Sequence, residues 1–362
     1  IGQWAAELTV SEQTPATAAG NFTGPSHSGM GSVGWGSFTA GAYNRASGIG
    51  ATAVGHHNIA GPTASEISAS PPSISNPGGQ FAAGYGTQAT GHAAFSAGDG
   101  TTASGNFATA LGSSTNATGN YSTSFGKSTT ASGSQSTAFG ESSTASGYAS
   151  LSTGRSNTAS GYNSTAMGRS STASGYYSTV IGYNATASDY ASFVIGQYNS
   201  SGSSATSSGS YDATAPAFVI GNGTSGGNSD AFKVLFNGNT TVSNDLTVSG
   251  DVVVSSDARL KSNIVSLGST LSRLLLIDGK TYTMKKDGKQ KIGVLAQDIK
   301  EVFPELVSED ANKMLAVNYQ GLVPVLINAL KEQDGKMKEQ ESKYLEQEKR
   351  LERLEKLVAQ LD

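Results

Sequence analysis

The sequence predicts a mainly β fold: a parallel β-roll or solenoid of 14-residue repeats, then a β-stalk, then a small α+β domain ending in a coiled coil. Three observations carry this. Glycine recurs every seven residues between positions 84 and 182. Charged residues, 14% of the 362 against about 25% in ordinary globular chains, crowd into the C-terminal third. The end of the chain holds a seven-residue apolar seam.

The chain starts at Ile1 rather than Met, which leaves open a preceding signal or attachment segment. Residues 1–33 are assigned to an N-terminal cap. Of 50 charged residues, 14 fall in residues 1–250 and 36 in residues 251–362. The first part is rich in Gly, Ser, Thr and Ala and poor in Leu, which excludes a core of large aliphatics and leaves disorder or a thin repetitive structure. Its net charge is −4 and that of the second part is zero, so neither has the basic excess that nucleic-acid binding needs. Without Cys, disulfides and thiolate metal sites are excluded. No run of 18 apolar residues is present, and no membrane insertion by a helix is expected. No cofactor is expected.

Residues 34–200 are predicted to form the roll. The glycine period holds from Gly84 to Gly182, Asp189 replaces one beat, and Gly196 restores it. Alternate glycines differ: one class follows Ala-Ser or Ala-Thr, as in Ala103-Ser104-Gly105, and the other follows Leu111, Phe125, Phe139, Met167, Ile181 or Ile195, with Thr153 the exception. The unit is therefore 14 residues. The same beat occurs at Gly34, Gly41, Gly48 and Gly55, before a Pro/Ser-rich insertion at 62–80. Disorder needs no such phase. Glycine at each corner, supplying positive φ or close backbone approach, and short strands between corners give coils stacked about 4.8 Å apart. One large residue per coil is too little for a core, so several chains are expected to share it.

Units such as Tyr121-Ser-Thr-Ser-Phe-Gly126 followed by Ser128-Thr-Thr-Ala-Ser-Gly133 resemble the head repeats of trimeric autotransporter adhesins. The resemblance covers residues 34–61 and 81–200 and implies a homotrimeric left-handed parallel β-roll. It departs in the insertion and in Ser200 to Pro216.

Residues 201–255 are predicted as the connector, with strands at Ala217–Ile220, Ala231–Phe236 and Asp245–Val254 between Gly/Asn turns. The alternation of Leu246, Val248, Val252 and Val254 predicts an intertwined stalk. Gly221, Gly223 and Gly226 fit G-x-G-x-x-G, but no helix follows where a dinucleotide site needs one, so they are turn glycines.

Residues 256–329 carry three ordered motifs: Ser256-Asp257-Ala258-Arg259-Leu260-Lys261, Gly293 to Val307, and Leu315-Ala-Val-Asn-Tyr319. Together they resemble the C-terminal intramolecular chaperone of endosialidase-type phage tailspikes and tail fibres. The resemblance implies a single-turnover self-cleavage, with Ser256 as nucleophile, Lys261 as general base and scission beside Ser256 at the Ser255–Ser256 bond, the side cut being left open. A serine hydroxyl is a weak nucleophile until a base takes its proton, and a lysine serves as base when burial lowers its pKa. The bland alternative is that Ser256 or Asp257 caps a helix starting at Ala258, with Lys261 on its solvated face. Lys285–Lys291 is read as a hairpin tip around Asp287-Gly288.

Residues 330–362 are predicted as a trimeric coiled coil, with Leu330, Met337, Tyr344, Leu351 and Val358 at one core position and Gln333, Gln340, Gln347, Leu354 and Leu361 at the other.

Three functions follow: a phage tail fibre in the virion that binds a host cell-surface glycan or protein receptor; a bacterial cell-surface adhesin with the same head; and a glycan-degrading tailspike. The third is weakest, because glycoside hydrolysis uses paired carboxylates and Glu7, Glu12, Glu66, Asp99, Glu141, Asp189, Asp212, Asp230 and Asp245 form no local pair. The resembling adhesins end in a membrane β-barrel where this sequence has a charged heptad pattern, which favours the first over the second. Contact candidates are Tyr148, Tyr162 and Tyr176, with Tyr177, Tyr183 and Tyr190, recurring near coil corners where they stack on sugars or cover edges. His27, His56, His57 and His92 have no metal spacing, and no metal site is assigned.

Overall fold

The computed structural model describes residues 9–10, 31–32, 34, 36–62, 78–200, 207–310 and 313–360. Most of the N-terminal cap, most of the insertion, His27 and Leu361 lie outside them. Two compact units divide the chain, Ile1–Ser249 and Gly250–Asp362.

In the first unit each 14-residue repeat gives one five-residue and one two-residue strand. The long strands enter a 15-stranded sheet and the short ones an 11-stranded sheet. Strands one repeat apart pair in parallel and in register: Thr123–Lys127 lies on Thr137–Glu141 with Phe125 opposite Phe139 and Gly126 opposite Gly140, and Thr130–Ala131 lies on Thr144–Ala145. This is the predicted parallel β-solenoid.

Its interior differs from the expected one. The second residue of each strand points inward, and Ala110, Ser124, Ala138, Ala166 and Val180 on the long strands and Ala117, Ala131, Ala145 and Ala159 on the short ones are fully buried. Thr115, Thr129, Ser143 and Asn157 complete the filling. One chain thus closes its own interior with small side chains. The large residue of each coil, at the third strand position, points outward: Phe125, Phe139 and Ile181 are 42%, 50% and 42% exposed. Buried polar groups in such a narrow space cost stability unless paired; Thr115 Oγ1 has no hydrogen-bond partner among the described residues, but others do. Ser124 and Thr129 hydroxyls meet at 2.8 Å, and Asn157 donates to Thr153 O and Gly168 O and accepts from Ser171 N–H.

Glycine stands at one corner of the coil but not at the other: Gly119 opens the turn that Ser122 N–H closes on Gly119 O at 3.2 Å, whereas Gly126 lies inside the strand Thr123–Lys127. Tyr121, Gln135 and Ala149 at one end of the coil, and Ser128, Ser142 and Ser156 at the other, hold the left-handed conformation. Each such residue costs about 1–2 kcal/mol. The turn is kept because its N–H completes the inter-coil ladder, as from Gln135 N to Asn120 O and from Ser142 N to Lys127 O, both 2.8 Å. At both beats glycine provides the close backbone approach expected of it. Gly126, inside a strand at φ +121°, would place a Cβ 2.0 Å from Gly140 O, and Gly119 would place one 2.1 Å from Gly133 O. Asp189 fits the rule: Gly175 faces Asp189 O, while Asp189 follows Thr186–Ala187, the terminal strand of the 11-stranded sheet, so no further coil of that sheet approaches it. Gly126→Ala joins a backbone clash to a disfavoured φ, and we expect it to destabilise the head by roughly 3 kcal/mol or more. Thermal unfolding checks this, and an unchanged midpoint refutes it.

Beyond residue 200, Pro216–Asn222 adds in parallel to Phe193–Gln197, and Asp230–Leu235 and Thr240–Val242 follow antiparallel. The Gly221–Gly226 stretch ends a strand and turns, with no helix after it. Residues 245–254 form no strand within one chain, and Leu246, Val252 and Val254 are exposed; the predicted intertwined stalk would pair them with other copies. An extended segment without a neighbouring backbone has no ladder to join.

The second unit holds short helices Leu271–Leu274 and Ala296–Val302, hairpins Lys280–Thr283/Gln290–Gly293 and Val307–Glu309/Leu315–Val317, and a 37-residue helix, Leu322–Val358. Lys285–Lys291 spans the first hairpin's turn, as predicted, with Gly288 at φ +70°. Ile299, Phe303 and Val325 form a small core with Leu274, Ile277 and Val317 against it, and the Arg273 guanidinium lies 4.0 Å from the Phe303 ring centre. Glu332, on the long helix, accepts from Ser269 Oγ at 2.6 Å, from Thr270 N–H and from Leu271 N–H at 3.2 Å, tying down the start of Leu271–Leu274. The Ser269 hydroxyl and then the Thr270 N–H hold its carboxyl below the usual carboxylate range. The carboxylate's contribution is therefore present above that range and lost as pH falls through the lowered value. Glu332→Gln is expected to flatten the acid limb of this unit's unfolding, followed by circular dichroism against pH; an identical acid limb in both proteins rejects the role.

Candidate functional site

Ser255 and Ser256 end the strandless stretch after Val254. Asp257 then starts a single 3-10 turn, Ala258–Leu260, by accepting from Arg259 N–H at 2.8 Å. The Arg259 guanidinium forks back onto both Asp257 carboxylate oxygens, at 2.7–3.1 Å. This pairing holds the Asp257 carboxyl below its ordinary range and raises Arg259. Lys261 closes the turn by donating its N–H to Ala258 O at 3.0 Å.

The turn returns Lys261 to Ser256. The Lys261 Nζ lies 2.6 Å from Ser256 Oγ and 3.1 Å from Ser256 O, and donates to both. The two readings of this motif coexist: Asp257 caps, while Lys261 reaches the serine hydroxyl instead of pointing to solvent. An amine within hydrogen-bond reach of a hydroxyl meets the geometric requirement for proton transfer. Ser255, Ser256 and Lys261 are all exposed. The Asp257–Arg259 fork, which shapes the turn, was not given a role from sequence. Its signal was the two-residue spacing inside the motif.

Tyr148, Tyr162 and Tyr176 lie in one column at the corner between short and long strands. Tyr148 and Tyr162 stack at 4.9 Å, and Tyr162 and Tyr176 meet tilted at 5.9 Å. Tyr177 bridges Tyr162 and Tyr190 edge-on, whereas Tyr183 sits at the opposite corner against Tyr198 and Arg169. His56 and His57 join Tyr43 and Tyr85 in a ring cluster, and among the described residues no group of three or more metal-ligating side chains occurs. Leu330, Met337, Tyr344, Leu351 and Val358 recur along the long helix and are 57–67% exposed.

Two family models match. The YadA head domain repeat (2 copies) matches in overlapping windows from residues 89–115 to 173–199, and the chaperone of endosialidase matches residues 256–308. No curated protein matches this sequence. No helix among the described residues is long and apolar enough to cross a membrane. The chain thus carries, in order, a segment that matches YadA head repeats and a segment that matches the chaperone of endosialidase, a combination that supports a fibre- or adhesin-type protein.

Proposed function

We propose that the protein is a homotrimeric phage tail fibre that attaches the virion to its host, with residues 256–362 folding and trimerising the chain and then being cut off beside Ser256. The 2.6 Å contact between Lys261 Nζ and Ser256 Oγ, inside the segment that matches the chaperone of endosialidase, is the observation that carries this reading. A charged ammonium only donates, so base function needs the neutral amine, and burial favours that form. In a single chain the motif is exposed, and association of three copies supplies the burial. Self-cleavage is in this way coupled to assembly. Ser256 Oγ attacks the carbonyl carbon of Ser255 while Lys261 takes the hydroxyl proton. The acyl group passes from the Ser256 nitrogen to its oxygen as Lys261 returns a proton to the nitrogen, and water then hydrolyses the ester.

Trimerisation has two supports besides the family matches. The outward stripe of Phe125, Phe139 and Ile181 and the exposed seam of the long helix are apolar surfaces larger than isolated exposed side chains. The match to YadA head repeats favours, as second reading, an adhesin on a bacterial surface. Antibody against residues 81–200 separates the two: labelling of purified virions with none on phage-free cells supports the fibre, and the reverse overturns it.

A further inference from the structure

We infer that the corner of the solenoid between Tyr121 and Tyr148 is a binding site for one ring of a neutral saccharide, a site that rests on the receptor-binding reading and gives it a place. From His92 to Tyr190 every coil puts at least one aromatic or imidazole ring at this corner, except the coil carrying Ser134 and Gln135. Rings on either side turn away from the gap. Tyr121 stacks on Phe107 at 5.1 Å and 7°, and Tyr148 stacks on Tyr162 at 4.9 Å and 10°. Within each stack the facing surfaces are occupied, so Tyr162 offers a sugar little but its edge. Tyr121 and Tyr148 each keep one face toward the Ser134–Gln135 coil.

The gap fits one ring in size and chemistry. Tyr121 and Tyr148 stand two coil steps of roughly 4.8 Å apart along the roll and at neighbouring rather than equivalent corner positions, so a single pyranose lies across the gap with a C–H face on one tyrosine and its rim toward the other. Rings at the two corner positions come into contact between consecutive coils, as Tyr162 and Tyr177 do at 5.8 Å, so a ligand one ring wide bridges the two positions across a coil that lacks a ring. Asn120 and Gln135 are exposed beside the gap; Asn120 Oδ1 accepts from Asn106 N–H at 3.0 Å, so Gln135 supplies both amide donor and acceptor for ring hydroxyls and Asn120 only its Nδ2 donor. Charge is absent here: Asp99, Lys127, Glu141, Arg155 and Arg169 end the long strands at the opposite corner. Aromatic faces, amides and no ionic group select a neutral sugar over an acidic one. Tyr121, 59% exposed, presents more of itself than Tyr148 at 40%.

The test uses the full chain and three neutral probes, the hexasaccharides of maltose, cellulose and chitin, followed by saturation-transfer NMR and titration calorimetry. At least one is expected to bind. Gln135→Tyr fills the gap and is expected to weaken that binding about tenfold or more. It is expected to fold, because Gln135 at φ 60° occupies the position at which Tyr121, also at φ 60°, and Tyr177, at φ 59°, are already accepted. Tyr148→Ala is expected to weaken binding similarly, and Tyr183→Ala at the opposite corner to leave it unchanged. Failure of all three probes, or undiminished binding in Gln135→Tyr, overturns the site. Sugar binding by a head that labels no virion removes the fibre reading and leaves the site standing, so the two fail separately.

Discussion

Ser256→Ala is expected to leave the chain at full length where the wild type, after assembly, runs as two fragments on a denaturing gel, the smaller being residues 256–362. Deleting the hydroxyl removes the attacking atom, and the loss of rate is expected to exceed about a thousandfold. Lys261→Met, which keeps the stem and removes the amine, should do the same while leaving the Asp257–Arg259 fork intact. Arg259→Ala is expected to slow cleavage less, because it loosens the turn that returns Lys261 to Ser256 without touching the reacting atoms. Mass spectrometry of the fragments fixes the side of Ser256 that is cut. An uncut wild-type trimer, or equal cutting in Ser256→Ala, ends the autoproteolytic reading.

The second large effect is expected from order of events. A gene ending at residue 255 should give a head that is nearly all insoluble, whereas residues 256–362 removed after assembly should leave a soluble trimer. Within one chain the roll closes by contacts only 14 residues apart, such as Thr123 on Thr137, and contacts so local form fast. Once formed, the single roll exposes its stripe of Phe125, Phe139 and Ile181, and every coil presents nearly the same outer surface. Three rolls slipped by one coil therefore lose little, and such slipped assemblies remain sticky at both ends. The seam from Leu330 to Val358 lies outside the repeats and, in the proposed trimer, would pair first and fix which coil faces which. Soluble native trimer from the truncated gene refutes this.

The period exposed the solenoid because every coil must satisfy the same backbone contact, and a contact repeated at 14 residues leaves glycine at both beats. The Ser256–Lys261 pair was legible only through the resemblance carried by its motif, because the spacing by itself fits equally well a capped turn with Lys261 in solvent. Other features left no such trace. Tyr121, Gln135 and Ser142 carry no mark of a left-handed corner, because the ladder bonds of neighbouring coils impose that conformation on whatever residue stands there. The buried Ala and Ser positions look like low-complexity filler until the inward alternation is seen. Glu332 meets Ser269 across 63 residues, a separation at which no local pattern speaks. The strand expected at 245–254 finds no partner within one chain, because alternation describes a side-chain rhythm and an intertwined stalk takes its second backbone from another copy.

The contact of each glycine with the carbonyl of the following coil makes the head a ruler. Gly126 is small because Gly140 lies over it, and Asp189 is free to be large because the short-strand sheet stops there. Length is thereby written in whole steps of 14 residues, each worth roughly 4.8 Å of reach. A deletion of residues 120–133 removes one complete turn, joins equivalent backbones and shortens the head by one step. Removing seven residues instead places a long strand over a short one and breaks the column. Variation in reach is therefore open to such a molecule only as insertion or loss of entire units, and the terminal aspartate marks where the count ends.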